Sequence, residues 1–415
     1  MNDSNNPAPA ARGPGHSAIV FIFVSMLLDS VGFGLIGPVM PQLLNELTSE
    51  SAAVGVTYAG FLSAVYAITQ FFCAPIMGGL SDRFGRRLVL LASMFALGCD
   101  YLLMALAPSL AWLFVGRFIA GIAGAAYTPA YAYVADISPP EKRAQNFGLI
   151  GAAFGAGFIV GPLVGGVLGE YGPRVPFYAA AAIGLLNFLF GLWALPESLA
   201  PTLRRRFEWR RANPVGTLIQ LRKYPTIAPL LVAAALWQTA MQVLPTTWSF
   251  FAVLRFNWTP SQISYSLAFA GAIMILSQAV LTRVLLPKLG GERSGAKIGM
   301  LAGALTFFGY AAATEGWMVY VAMLIWMFAG LGWPSINTLL SKQVPPTSQG
   351  ELQGGMGSLG SVAAIIGPLL MSETLGYFSS PNAPVQFIGA AFTVAGLLAL
   401  CSLAVLMKFL AKDSS

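Results

Sequence analysis

Charge is what this sequence has least of. Lys, Arg, Asp and Glu make up 9% of its 415 residues, where a soluble protein carries about 25%. A soluble fold of this size could not cover its surface with so little, so lipid is expected to be the solvent for most of it. Histidine is nearly missing. The single copy, His16, precedes the first apolar run, so no histidine is expected to act inside a membrane. Cys73, Cys99 and Cys401 stand in apolar runs without CxxC spacing. They read as small buried hydrophobes, and a disulfide framework or thiolate metal site is excluded. The chain also lacks a GxxxxGKS/T segment, a selectivity-filter loop, and HExxH and GxSxG motifs. ATP is therefore not expected as the energy source, nor is intramembrane enzyme chemistry, and no cofactor or metal is expected.

What the chain does have is apolar length, with 56% hydrophobic residues. A spanning helix takes about 20 apolar residues at about 1.5 Å each. Reading between charges gives twelve runs: 17–43, 53–80, 88–107, 110–136, 147–170, 174–196, 227–254, 261–288, 297–314, 317–342, 352–376 and 384–409. Residues 51–81, 224–254 and 374–407 contain no charged side chain at all. The expected class is an all-α membrane protein. The first run continues too far past its polar interruptions to be a cleaved signal peptide.

Basic residues set the orientation. Arg174 and Arg255 fall in odd-numbered loops and Arg117 and Arg283 inside runs, while the other Lys and Arg lie in the tails and even-numbered loops. Both termini are expected in the cytoplasm of a multi-pass protein of a bacterial inner membrane. The net charge of +7 is then spread along one membrane face, which argues against nucleic acid as a partner. Residues 1–16 read as a disordered tail, 17–196 as one six-helix bundle, 227–409 as a second and 410–415 as a tail. Between the bundles, 197–226 reads as a cytoplasmic linker carrying Arg204, Arg205, Arg206, Arg210, Arg211, Arg222 and Lys223.

An internal repeat agrees with that division. At an offset of 206 residues, Gly85 falls on Gly291, Pro139–Pro140 on Pro345–Pro346, Gly148 on Gly354 and Gly151 on Gly357. Gly161–Pro162 falls on Gly367–Pro368 without a gap. Two related halves side by side suit an alternating-access carrier with its substrate site between them near the midplane.

Charge inside hydrocarbon costs several kcal/mol, so each instance needs a reason. Asp29 in the first span, Asp100 in the third and Arg117 in the fourth lie at one depth, about 18–20 Å from the cytoplasmic ends by the rise per residue. One arginine cannot neutralise two carboxylates. The acid left over is expected to exchange a proton near neutral pH, which is what proton coupling requires. A static ion pair holding helices together is the alternative.

After the second span, Gly78–Arg87 reads GGLSDRFGRR. Topology explains Arg83, Arg86 and Arg87, and a tight turn explains Gly85. Asp82 among them needs another account: docking on a helix N-terminus, or pairing with an arginine to latch one conformation. Asp136 at the end of the fourth span is a candidate partner. The fifth span holds glycines 151, 155, 157, 161, 165 and 166, expected to bare one helix face for close packing, and Gly161–Pro162 is expected to bend it. Gln238, Gln242, Gln278, Asn337 and Trp333, with Trp237 and Trp248 nearby, suit a cavity for an amphiphilic, partly aromatic ligand. Tyr127 and Tyr131 do so too. Interhelical hydrogen bonds would use the same side chains.

These residues resemble the major facilitator superfamily, specifically its twelve-helix drug:proton antiporters. Gly78–Arg87 looks like that superfamily's inter-helix motif, GRFIAG at Gly116–Gly121 like its fourth-helix arginine motif, and Gly151–Gly166 like its antiporter helix. A closer likeness, over nearly the whole chain, is to the tetracycline efflux proteins. It is carried by LLDSVGFGLIGPVMPQLL at 27–44, CDYLLMALAP at 99–108, VAD at 134–136, QTAMQVLPTTW at 238–248, RFNW at 255–258, EGW at 315–317 and GELQGGMGSL at 350–359. The resemblance implies that Asp29, Asp100 and Arg117 couple protons to substrate. It makes Gly78, Asp82, Arg83, Gly85, Arg86, Arg87 and Asp136 a gate, and Gly151, Gly155, Gly161, Pro162 and Gly165 the antiporter helix. The chain departs from the pattern in the eighth span, where Met274 stands in place of a histidine implicated in proton coupling. Protons and a small amphiphilic drug, with tetracycline-type compounds leading, are the expected partners. A metabolite importer and a non-transporting sensor are the alternatives.

Overall fold

The computed structural model describes residues 16–139, 142–208, 213, 216, 223–345 and 348–412. Of the expected tails, 1–15 and 413–415 lie outside the described residues, as do Pro140, Pro346, Arg210, Arg211 and Arg222, whereas His16 and residues 410–412 belong to helices. The described chain is helical in sixteen main pieces, and eleven stretches of it are long and apolar enough to cross a membrane.

The first half runs through α1 (His16–Ile36), α2 (Met40–Thr48), α3 (Ala52–Phe84), α4 (Arg86–Ala105), α5 (Leu110–Gly124), α6 (Tyr127–Ile137), α7 (Arg143–Gly169) and α8 (Val175–Ala194). The second comprises α9 (Ala228–Met241), α10 (Val243–Phe256), α11 (Pro260–Leu276), α12 (Glu292–Ala312), α13 (Gly316–Ala329), α14 (Gly332–Lys342), α15 (Gln349–Ser379) and α16 (Ala390–Lys412). After α11 the chain continues through wide π turns over Ser277–Leu285. The stretch outside the eleven is α12, a 21-residue helix. Its first turns carry Glu292, Arg293 and Lys297, which dilute its apolar character.

Besides the eighth, which turns π-helical after Leu276, four of the twelve expected runs differ from single helices. The first breaks at Ile36 because Pro38 and Pro41 each lack the N–H that an unbroken ladder would use. The fourth breaks between α5 and α6, the seventh between α9 and α10, and the tenth between α13 and α14. The breaks in the fourth and tenth runs fall within one residue of the 206-residue offset, so the repeat extends to backbone geometry. The last run starts at Ala390 rather than 384. Residues 380–389 are non-helical, and Pro381 and Pro384 sit in them.

The elements α1 to α8 pack among themselves, as do α9 to α16, and the two sets meet mainly along two seams, α3 with α15 and α7 with α11. The seams are tight at one end only. A Cβ on Gly60 would overlap the Ser372 hydroxyl, one on Gly376 would stand 2.8 Å from the Ala53 carbonyl, and one on Gly166 would stand 2.6 Å from the Pro260 carbonyl. Toward the other end, where the Gly85 turn and the basic loops lie, a Cβ on Gly148, Gly151, Gly155, Gly350 or Gly357 would meet nothing within 4 Å. The space between the halves therefore opens toward the basic face and is closed at the opposite one.

That arrangement corrects the single bare face expected for α7. Gly157, Gly161 and Gly165 pack on α1, Gly166 packs on α11, and Gly151 and Gly155 face open space. Helix α7 runs unbroken through Pro162, whose ring lies against Gly34. Cys73 and Cys99 are half-buried but Cys401 is exposed on α16, so the three thiols are not alike in burial.

Candidate functional site

The buried charges are held where helices cross without side chains between them. Gly116 on α5 lies beside α4, and a Cβ there would come 2.7 Å from Asp100 Oδ1. The bare backbone lets Arg117 reach Asp100, Nη2 to Oδ2 at 3.6 Å. Both Asp100 oxygens are buried without a hydrogen-bond partner, so Arg117 is their compensation. Arg117 also points Nη2 at the Met104 sulfur, 3.1 Å away, and lies 5.9 Å from the Tyr66 ring centre, a cation–π distance.

Asp29 on α1 stands apart from this pair. Its Oδ1 accepts from the Asn187 amide at 3.1 Å, and among the described residues it has no ion-pair partner. With Met26, Ser93, Leu97, Gly124 and Tyr127 it lines a cavity with about 30 Å³ of room for water, enough for one or two molecules. The sequence leaves open which acid takes the arginine; the structure gives it to Asp100.

At the basic face the turn between α3 and α4 organises a second cluster. Gly85 has φ +100°, and a Cβ there would overlap the Glu197 carboxylate. The Arg86 guanidinium bonds Asp82, the Asp136 carboxylate through Nε at 3.2 Å and the Ser81 hydroxyl at 3.1 Å. Two residues missed in the sequence complete it. Glu197 accepts from the Arg86 backbone amide at 2.9 Å, and Ser198 donates to Asp136 at 3.1 Å. Arg83 and Arg87 do not join. Arg83 lies over the Phe84 ring, and Arg87 donates to the Leu192 carbonyl at 2.7 Å. A Cβ on Gly78 would stand 3.4 Å from the Thr128 methyl. Replacing Gly85 by Ala combines a left-handed φ with that overlap, and strain of this kind costs about 1–3 kcal/mol. A fall in melting temperature of the purified protein is the expected result.

The second half carries the same cluster with its charges exchanged. At the 206-residue offset Gly291 again has a positive φ, +77°, and Glu292 and Lys342 replace Arg86 and Asp136. They too are paired, Nζ to Oε1 at 2.9 Å. Bonding from Lys342 holds the Glu292 carboxyl below its ordinary range. Reversing Lys342 to Glu should lower transport several-fold, and Glu292→Lys on top of it should restore most of the loss.

The eight side chains expected for substrate come from both halves. Tyr127 meets Phe154 edge-on at 6.1 Å, and Tyr131 is exposed beside Phe147. Gln238 and Gln242 face α15 at Gly360 and Gly367. Gln278 donates to the Gly330 carbonyl at 3.4 Å, and Asn337 accepts from Gln353 at 3.1 Å, so both make contacts between helices. Trp333 packs on the core and Met274 is exposed. Trp237 and Trp248 are both buried. Trp237 fills the space left by Gly303 and Gly332, and Trp248 donates to Ser266 at 2.8 Å inside an aromatic cluster.

The helical architecture in two related sets has counterparts among known proteins. Residues 22–368 match the model of the Major Facilitator Superfamily. The chain belongs to that superfamily. Among curated major facilitators it is 40% identical over 387 residues to the class C tetracycline resistance protein of Escherichia coli, covering 93% of this chain and 96% of that one. It is 35% identical to the class D tetracycline resistance protein of Salmonella ordonez, over 92% of this chain and 96% of that one. Solved transporters share the fold. The human organic anion transporter MFSD10 matches at TM-score 0.69 and 24% identity over 95% of this chain and all of that one. The nucleoside transporter NupG matches at 0.72 and 16%, over 96% and 99%. This major facilitator is thus a multi-pass membrane protein whose relatives are transporters rather than enzymes.

Proposed function

We propose that this protein exports a small amphiphilic drug across a bacterial inner membrane in exchange for protons, with tetracycline-type compounds the leading substrate. The observation that carries the reading is Asp29: a carboxyl among apolar helices, hydrogen-bonded to a neutral amide and beside a water-sized cavity. Asp100, by contrast, already has a cation. A carboxyl without a fixed counter-charge can lose its proton when substrate arrives and regain it when substrate leaves. Basic loops mark the open face as cytoplasmic, with both termini on that side, so the cavity stands ready to load from the cytoplasm. The Arg86 and Glu292 clusters hold the helix ends at that face as rigid units while the halves rock.

Direction is tested in everted membrane vesicles. Acidifying the lumen drives accumulation of radiolabelled tetracycline if the protein exports, whereas an importer leaves the lumen empty. A drug-susceptibility panel in a pump-deficient host fixes the substrate range, and the absence of any resistance over host background would overturn the reading.

A further inference from the structure

We propose that Asn187 on α8 is a positioning residue for proton exchange at Asp29. The inference rests on the export reading. Asn187 has no exposed surface in an otherwise apolar stretch of its helix. Its Nδ2 donates twice, to Asp29 Oδ1 at 3.1 Å and to the Ser25 carbonyl at 3.3 Å. The carbonyl bond ties the amide to α1 one turn before Asp29, so its direction is fixed by backbone and does not depend on the acid.

The consequence is chemical. A carboxyl has two oxygens that can carry the proton, and Asn187 occupies one of them with a donor. The proton is thereby directed to Oδ2, for which the described residues offer no donor. The Asn187 Oδ1 has no partner itself, so the side chain is retained at the cost of an unsatisfied buried acceptor. Packing alone would favour a leucine there, since a buried unpartnered carbonyl weakens a helix contact that an apolar group would strengthen.

Other groups facing Asp29 do not duplicate this role. From α6 comes Tyr127, and from α4 come Tyr101 and, across the cavity, Ser93; α7 presents Gly157 and Gly161 to α1. None of them hydrogen-bonds the Asp29 carboxyl.

The test compares wild type with Asn187→Leu and Asn187→Gln. In everted vesicles with tetracycline as the probe, Asn187→Leu should lose at least tenfold in proton-driven accumulation. Tetracycline exchange at equal pH should fall much less, so that the ratio of the two changes at least fivefold. Asn187→Gln keeps the amide but moves it by one methylene, and should fall between. Equal loss in both assays would mark a packing residue and overturn the proposal, as would unchanged accumulation. A second readout needs no substrate. Dicyclohexylcarbodiimide attacks protonated carboxyls, and its labelling of Asp29 in purified protein, read by mass spectrometry, should be at least threefold faster in Asn187→Leu. Equal labelling rates overturn the role of Asn187 even where tetracycline export holds. A wild type that moves no tetracycline sinks the export reading instead, and labelling then decides the proposal by itself.

Discussion

Asp29→Asn is expected to abolish uphill transport while leaving the protein folded. The amide is the same shape as the carboxylate, and its Oδ1 can still accept from Asn187, so the contact at 3.1 Å survives. What it cannot do is carry a proton. A gradient of one pH unit is worth about 1.36 kcal/mol per proton, which supports about a tenfold substrate ratio for each proton exchanged. In everted vesicles with a lumen one unit more acidic, wild type should approach that ratio and Asp29→Asn should stay at one. Exchange of labelled for unlabelled drug needs no proton and should persist in the variant. Resistance in a pump-deficient host should fall to background with protein level unchanged. Accumulation by Asp29→Asn at the wild-type ratio would remove Asp29 from the coupling step altogether.

The spans and the charges were legible in the sequence for one reason: both are statements about what hydrocarbon tolerates. Long uncharged runs must cross or be buried, and the few charges among them must be compensated. Helix breaks were less legible. Hydropathy does not separate a helix from the Pro-containing chain at 380–389, since Ala, Val, Phe and Ile raise the average in either conformation. Neutral polar groups were the hardest. Asn187, Gln278 and Asn337 look alike as amides in apolar runs, but the first bonds a carboxylate and the other two bridge helices. Partner identity, not residue type, separates them, and partners are fixed by tertiary packing. The glycines of α7 have the same limit. Their spacing predicts close approach, yet only packing tells that Gly161 meets α1 while Gly155 meets open space. The exchanged charges of the two clusters become meaningful only once Arg86 is seen to bond Asp136, because the offset that aligns them also aligns many residues of no consequence.

Removing Arg117 should cost more than removing any other single side chain of the first half. Asp100 has no exposed side-chain surface, neither of its oxygens is hydrogen-bonded, and among the described residues the guanidinium at 3.6 Å is its one counter-charge. Breaking such a pair from one side costs about 3–5 kcal/mol, because the remaining charge stays buried without compensation. A membrane protein with an ordinary stability margin of about 5–15 kcal/mol would lose much of it. Arg117→Leu should therefore reduce the yield of monodisperse protein to a small fraction of wild type and lower its melting temperature sharply. Neutralising the partner as well changes the sign of the argument. In Asp100→Asn/Arg117→Leu no bare charge remains, and the amide fits beside Gly116 where the carboxylate did, so most of the yield should return. A double-mutant cycle on melting temperature measures this directly, with a large favourable recovery expected in the second step. Additive losses would mean that Asp100 and Arg117 are not energetically coupled. Asp100 could then be exchanging protons as freely as Asp29, and the division of labour between the two carboxyls would fail at its foundation.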